Sequence, residues 1–183
     1  MKKIEKNLKL LVILALLCAI SIVAGKYLGI NAGEFMRFSL ENMPIIFAGI
    51  AFGPIAGCVV GTIADLIGCA LMGWAPIPWI TVGAAAIGFI SGIVPIILKK
   101  AKLPFPLLVA LSVFCAHLLG SIIIKTIGLS AQYDTPFGIL LLWRMLNYAI
   151  IGSLDGVIVY ILLKNKEIQS KVLAIRRKEN DIR

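Results

Sequence analysis

The stretch that decides the fold is the longest one poor in charge, residues 42–98: NMPIIFAGIAFGPIAGCVVGTIADLIGCALMGWAPIPWITVGAAAIGFISGIVPIIL. These 57 residues contain one charged side chain, Asp65. A soluble fold of this size would expose many more charged side chains to water. A bilayer crossing, in contrast, needs about 20 apolar residues, so this stretch is long enough for about three crossings. The sequence therefore predicts an integral membrane protein.

The composition of the whole chain agrees with this interpretation. Of its 183 residues, 60% are hydrophobic and 15% are charged, and the mean hydropathy is +1.00. Soluble domains carry about 25% charged residues. We expect one all-α domain of membrane-spanning helices that covers residues 1–183.

The apolar segments predict a six-helix bundle, with helices at about residues 8–28, 42–52, 54–72, 79–98, 103–129 and 137–163. The second and third helices are separated at Gly53-Pro54, because proline removes a backbone donor and clashes with the preceding turn. Without this break, residues 42–72 would form a helix about 46 Å long, too long for a hydrocarbon core about 30 Å thick.

The basic residues predict the orientation of the bundle. Four lie among the first nine residues, three lie in residues 99–102, and seven follow from Lys164 onward. Clusters of Lys and Arg favour the cytoplasmic side. Six crossings place all three clusters on that side, so both termini are expected to be cytoplasmic and residues 164–183 to form a basic tail. Because the net charge of +9 is split among these clusters, it does not indicate a nucleic-acid partner.

Ionisable residues inside apolar segments are costly and usually face a protein interior or a watery cavity. The predicted helices place Asp65 near mid-membrane and a set of cations toward the outer side: Lys26, Arg37, Lys125 and Arg144. Asn147 and Tyr148 share a helix face with Arg144. These groups predict a binding site, open to the exterior, for a ligand with an anionic end and a polar ring.

Aromatic residues in or beside the predicted outer loops are candidates for stacking on that ring: Phe38, Trp74, Trp79 and Tyr133. Three alternatives remain open. In the first, Lys26 and Lys125 reach toward lipid headgroups and bind no ligand. In the second, Trp74 and Trp79 anchor the chain at the membrane interface. In the third, Asp65 and Arg144 form a structural ion pair.

Enzymatic chemistry is not indicated. His117 and Ser121 lie one helical turn apart, but the sequence shows no third group of a hydrolase, which favours a packed histidine. The chain has no phosphate-binding loop of the kind that ATPases use. The four cysteines are too irregularly spaced for a metal site, so we predict no catalytic residues, no metal and no cofactor. Ala15 and Ala19 form a small-residue stripe on the first helix, available to a partner helix.

Several segments carry a resemblance to a known family. They are residues 37–39 (RFS) with 43–46 (MPII), 52–54 (FGP), 61–68 (GTIADLIG), 78–92 (PWITVGAAAIGFISG), 117–125 (HLLGSIIIK) and 142–148 (LWRMLNY). With them the chain resembles the substrate-binding S components of energy-coupling factor (ECF) vitamin transporters, most closely the folate-specific group. Leu40-Glu41-Asn42 departs from the glycine-containing loop of many folate-type members.

The resemblance implies a function and partners. The protein would capture folate at the outer face of a bacterial plasma membrane and release it inside by toppling against a transmembrane coupling protein that works with two ATP-binding subunits. Arg144, Asn147 and Asp65 would line the deep pocket, and Arg37, Lys26 and Lys125 would meet the anionic end. Ala15 and Ala19 match the AxxxA pattern that such proteins present to the coupling protein. The alternatives are another vitamin, such as pantothenate or riboflavin, and a stand-alone secondary transporter.

Overall fold

The computed structural model describes residues 2–31, 37–170 and 172. Within them the chain forms six helices. The helices are α1 (Lys2–Ile22, continued by a π-helical turn at Val23–Tyr27), α2 (Asn42–Phe52), α3 (Pro54–Leu71), α4 (Pro78–Ile97, continued by a 3-10 turn at Leu98–Ala101), α5 (Phe105–Tyr133) and α6 (Phe137–Lys164). The all-α architecture predicted from the sequence is confirmed.

Five of these helices are long and apolar enough to cross a membrane, judged by length and composition in the part of the chain that the structure describes. They are Leu8–Tyr27, Pro54–Leu71, Pro78–Ala101, Phe105–Tyr133 and Phe137–Lys164. The remaining helix, α2, has 11 residues, about 17 Å of helix. All of its residues except Met43 are buried, so α2 lies inside the bundle, surrounded by protein.

The break between α2 and α3 lies at the predicted position. Gly53 adopts a φ of +101°, a conformation that residues with a side chain rarely accept. Pro54 is the first residue of α3, where its missing N–H costs no helical hydrogen bond. The two residues therefore turn the chain between the helices.

Helices α2, α3 and α4 pack with their backbones in direct contact. A Cβ atom added to Gly88 of α4 would overlap the carbonyl oxygen of Gly57 in α3, and a Cβ on Gly57 would overlap the carbonyl oxygen of Gly88. A Cβ on Gly49 of α2 would strike Ser91 and the Gly88 carbonyl. In the sequence, small residues recur at four-residue spacing along these helices, at Gly49, Gly53, Gly57 and Gly61 and at Ala84, Gly88 and Gly92. These stripes of small residues set the close spacing of the three central helices.

Helix α5 differs from its predicted form. It contains a π-helical segment, His117–Ile124, between two α-helical parts, Phe105–Ala116 and Lys125–Tyr133. It also ends at Tyr133, four residues beyond the predicted end at residue 129. Residues 130–133 (SAQY) continue the helix, and the chain turns only at Asp134, whose φ is +49°, before Pro136.

Two short strands connect α1 to α2, and the sequence did not predict them. Strand β1 (Ile30–Asn31) pairs antiparallel with β2 (Arg37–Phe38), with Ile30 opposite Phe38. The predicted basic tail begins at the last residue of α6, Lys164. Residues 171 and 173–183 of this tail lie outside the described residues.

Candidate ligand-binding site

A small cavity lies where the C-terminal end of α1 and the N-terminal end of α2 meet α3, α4 and α5. Its volume is about 20 Å³, room for about one water molecule. Eleven residues line it: Ser21, Ile22, Lys26, Glu41, Asn42, Ile45, Gly61, Ala64, Asp65, Ala84 and Lys125. Three of the predicted site residues are therefore brought together here, namely Lys26, Asp65 and Lys125.

Glycines make room for both lysine side chains. A Cβ on Gly68 of α3 would collide with the alkyl chain of Lys26, and a Cβ on Gly83 of α4 would collide with that of Lys125. Both lysines also lie at π-helical turns, because Lys26 is within Val23–Tyr27 and Lys125 directly follows His117–Ile124. Such turns are frequent at functional sites.

Lys125 is 5% exposed and pairs with Glu41, with 3.6 Å between Nζ and Oε1. Burial would by itself raise the pKa of Glu41. The positive charges of Lys125, Lys26 and Arg37 outweigh this effect, so the pKa of the Glu41 carboxyl lies below its ordinary value. Glu41 therefore holds a negative charge among three cations.

Asp65 accepts a hydrogen bond from Thr81 Oγ1 of α4 at 2.6 Å. Arg144, the partner considered in the sequence analysis, instead donates from Nε and Nη2 to the backbone carbonyl of Ser121 in α5, at 3.0 and 2.9 Å. Each of the two residues thus has another partner. Asp65 and Arg144 therefore do not form an ion pair with each other in this structure.

Trp74 lies beside the cavity with two cations near its ring. Lys26 Nζ is 5.1 Å and Arg37 Cζ is 5.7 Å from the ring centroid, both within the range of a cation–π interaction. Arg37 also donates from Nη2 to the carbonyl of Gly25 in α1. Trp74 follows Gly73, which has a φ of +68°, and its side chain is 46% exposed. An exposed aromatic ring with two cations near it is therefore next to Lys26 of the cavity wall.

Asn147 of α6 holds the backbone of Arg37 in place and does not itself line the cavity. Its Nδ2 donates to the carbonyl of Arg37 at 3.0 Å, which ties α6 to β2. Tyr148 packs its ring against His117, with 5.0 Å between centroids, and the guanidinium of Arg144 lies 5.3 Å from the Tyr148 centroid. Arg144 and Tyr148 thus form a second group of contacts between α5 and α6, next to the cavity-lining set.

The other predicted aromatic residues do not reach the cavity among the residues described. Trp79, half exposed, packs against Gly128 of α5. Tyr133 is exposed at the end of α5, and Phe38 is half-buried in β2. Ala15 and Ala19 lie exposed on α1, among other exposed apolar side chains.

Sequence reasoning missed three polar residues of the cavity wall. Ser21 donates to the backbone carbonyl of Glu41 at 2.6 Å and so fixes the start of α2 against α1. Glu41 supplies the anion between the lysines, and Asn42, 1% exposed, faces the same space. A signal for the last two was present, since Leu40-Glu41-Asn42 is where the chain departs from the family pattern.

A second polar cluster lies between α5 and α6. His117 Nε2 is 3.0 Å from Asp155 Oδ2, and His117 Nδ1 is 3.2 Å from Ser121 Oγ. The structure thus supplies the third group that the sequence did not reveal. All three side chains are buried, and none of them is among the residues that line the cavity. Among the described residues, no group of three His, Cys, Asp or Glu side chains is arranged to hold a metal.

Three solved structures have a fold similar to that of this chain. FolT bound with folic acid is similar over 83% of this chain and 90% of that chain, with 21% identity and a TM-score of 0.67. The S-component for biotin from an ECF-type ABC transporter is similar over 88% and 94%, with 23% identity and a TM-score of 0.65. The S component of a bacterial ECF transporter matches 97% of this chain and 99% of that one, with 16% identity and a TM-score of 0.54.

The sequence comparisons give the family. No curated protein sequence matches the chain. A family model described as ECF-type riboflavin transporter, S component, matches residues 5–174, which is nearly the whole length. This multi-pass membrane protein therefore belongs to the family of ECF-type riboflavin transporter S components.

Proposed function

We propose that the chain is the folate-binding subunit of an ATP-driven importer in a bacterial plasma membrane. It captures the vitamin from the exterior and has no catalytic activity of its own. Its proposed partners are a transmembrane coupling protein and two ATP-binding subunits, against which it topples to release the vitamin inside. The ligand site is the cavity and its border, formed by Lys26, Arg37, Asp65, Trp74 and Lys125.

The observation that carries the proposal is the charge around the cavity. Three cations, Lys26, Arg37 and Lys125, face two carboxylates, Glu41 and Asp65. Such groups are costly at membrane depth and mark ligand pathways. The surplus cation suits an anionic ligand, and the glutamate part of folate carries two carboxylates.

The polar and aromatic groups suit the other end of folate. Asp65 is fixed by Thr81 and presents a carboxylate oxygen to ring donors. Trp74 offers a flat surface on which a pterin ring can stack. Lys26 and Arg37 lie near the Trp74 ring. When the ligand binds, these two cations can leave the ring and pair with the carboxylates of the ligand.

A cavity of about 20 Å³ is much smaller than ligand pockets, which measure about 300–1,000 Å³. The vitamin therefore has to displace side chains as it enters. Trp74 and Lys26 are suited to this movement, because Trp74 is half exposed and Lys26 is only partly buried. Ligand binding is thus expected to change the environment of the indole.

The test is a titration of the purified protein with folic acid while tryptophan fluorescence is followed. We expect a saturable change at submicromolar ligand, and we expect Trp74→Phe to lose most of the signal while binding persists by calorimetry. Lys125→Met should weaken binding of folic acid on the order of 10-fold or more, because a charge-assisted contact is lost. Lys99→Met, an exposed lysine in the turn after α4, is the matched control and should bind as the wild type does.

Riboflavin is the second candidate, because the family model that matches residues 5–174 is described as a riboflavin transporter component. Riboflavin carries no charge, so its binding should respond little to Lys125→Met. A panel of folic acid, riboflavin, pantothenate and biotin, with mass spectrometry of the co-purified small molecule, decides between these ligands. Tight binding of riboflavin with no binding of folic acid would overturn the folate proposal.

A further inference from the structure

Asn42 has an unusual position in the wall of the cavity. It is the first residue of α2, it is 1% exposed, and it is one of the residues that line the cavity. Its carbonyl oxygen, Oδ1, has no hydrogen-bond partner among the residues that the structure describes. Asn42 is therefore a buried acceptor that faces a space where a ligand can bind.

A buried oxygen without a partner is unfavourable and needs an explanation. The neighbouring polar groups of the cavity wall already have partners, since Asp65 accepts from Thr81 and Glu41 pairs with Lys125. Lys125 and Lys26 line the same cavity, yet neither bonds to Asn42 Oδ1. The oxygen thus remains an available acceptor, whereas Asp65, Glu41 and Lys125 are each paired with another group.

We propose that Asn42 is a specificity-determining residue, whose Oδ1 accepts a hydrogen bond from an N–H group on the ring edge of the bound vitamin. This inference rests on the proposed function. A site that is built to bond such a group rejects analogues that lack it, because its buried acceptor would stay unpaired. The pterin of folic acid presents a 2-amino group and a ring N–H, and the flavin ring of riboflavin presents an imide N–H.

The experiment removes the donor and the acceptor separately and together. Binding of folic acid is compared with binding of an analogue in which a methyl group replaces the 2-amino group, for the wild type and for Asn42→Leu. We expect the wild type to prefer folic acid on the order of 10- to 100-fold. Asn42→Leu should lose most of this preference, since the leucine is similar in size but cannot accept a hydrogen bond.

Two further variants separate this role from a structural one. Thr126→Val removes another buried oxygen without a described partner, one that does not line the cavity, and should keep the full preference. Asn42→Asp keeps an acceptor oxygen of the same size and should also keep the preference. If Asn42→Leu unfolds, as thermal unfolding without ligand would show, the Asn42→Asp variant still has to retain the preference for the inference to stand.

The outcomes distinguish the inference from the proposed function. Equal preference in the wild type and in Asn42→Leu overturns the inference while folate binding stands. If the wild type binds riboflavin and not folic acid, the same comparison is made between riboflavin and its N3-methyl derivative, and loss of discrimination in Asn42→Leu again supports the inference. Failure of the wild type to bind any of these vitamins overturns the proposed function and the inference with it.

Discussion

At the scale of single residues, the ion pair between Lys125 and Glu41 stabilises the fold at the proposed ligand site. Both side chains border the cavity, and Glu41 also experiences the charges of Lys26 and Arg37. A buried charge without a partner is strongly destabilising. Each member of the pair therefore stabilises the other.

The stability that Lys125 provides should depend on pH. The pKa of the Glu41 carboxyl is lower in the folded protein than in the unfolded chain. The charge of Glu41 therefore stabilises the fold fully above the unfolded pKa, about 4.3. This stabilisation is lost as the pH falls through the folded pKa. Lys125→Met should lower the unfolding temperature most at neutral pH, and the difference from the wild type should narrow as the pH falls below about 4. Thermal unfolding in detergent across this range measures the difference.

The control is a double-mutant cycle with Glu41→Gln. In that background Glu41 no longer titrates, so the effect of Lys125→Met should be independent of pH in the same range. A difference between wild type and Lys125→Met that stays constant down to acid pH would contradict the assignment of Glu41 as the partner.

Residue types alone predicted part of the cavity wall, while the role of these residues in ligand binding stays a prediction. Lys26, Asp65 and Lys125 were predicted because charges within apolar segments are rare, and all three line the cavity. The role of Arg144 in the ligand site stays a prediction. Its observed partner, the backbone carbonyl of Ser121, depends on how α5 and α6 pack, which residue types do not reveal.

At the scale of helices, the contact between α3 and α4 depends on the absence of side chains at Gly57 and Gly88. The carbonyl oxygen of each glycine occupies the place where a Cβ of the other would lie. The sequence predicted stripes of small residues, but it could not show which helices they join. That pairing follows from the fold, since similar stripes occur on several helices.

Gly88→Ala should lower the free energy of unfolding by about 1–3 kcal/mol, because the methyl group forces two backbones apart. Gly138→Ala is the matched control, since a Cβ there meets no atom within 4 Å and α6 is already helical at this point. Alanine favours helix over glycine by up to about 1 kcal/mol, so this variant should be as stable as the wild type or slightly more stable. Denaturation in mixed micelles compares them, and equal stability of Gly88→Ala would contradict the described contact.

At the scale of the whole molecule, α1 presents Ala15 and Ala19 on a face that the other described residues leave uncovered. Small residues at this spacing permit close approach of a second helix. If this face meets the coupling protein, the surface that binds the partner is separate from the proposed ligand site.

The double variant Ala15→Leu with Ala19→Leu should therefore bind the vitamin as the wild type does but lose transport. The measurements are ligand titration of the purified chain and vitamin uptake by cells that contain the complete transporter. Ala149→Leu, an exposed alanine on α6, is the matched control and should transport normally. Normal uptake by the double variant would contradict the proposed role of this face.

The arrangement of six helices could be predicted because apolar length, the Gly53-Pro54 break and the basic clusters constrain the chain independently. The side of the membrane on which the termini lie stays a prediction. The strands β1 and β2 could not be predicted, because two-residue strands leave too short a pattern in the sequence. The π-helical turns of α1 and α5 could not be predicted either, because their residue types do not distinguish them from the α-helical parts on either side.

Those irregular turns have a consequence for insertions and deletions. A π-helical turn accommodates one residue more than an α-helical turn, so loss of a single amino acid from residues 117–124 can be absorbed by restoring regular helix. The helix beyond the deletion would keep nearly the same orientation, because the lost residue is the one that the π-helical turn had accommodated, and Lys125 would stay at the cavity. Loss of one residue from the regular α-helical part, Phe105–Ala116, would instead rotate the helix beyond it by about 100°.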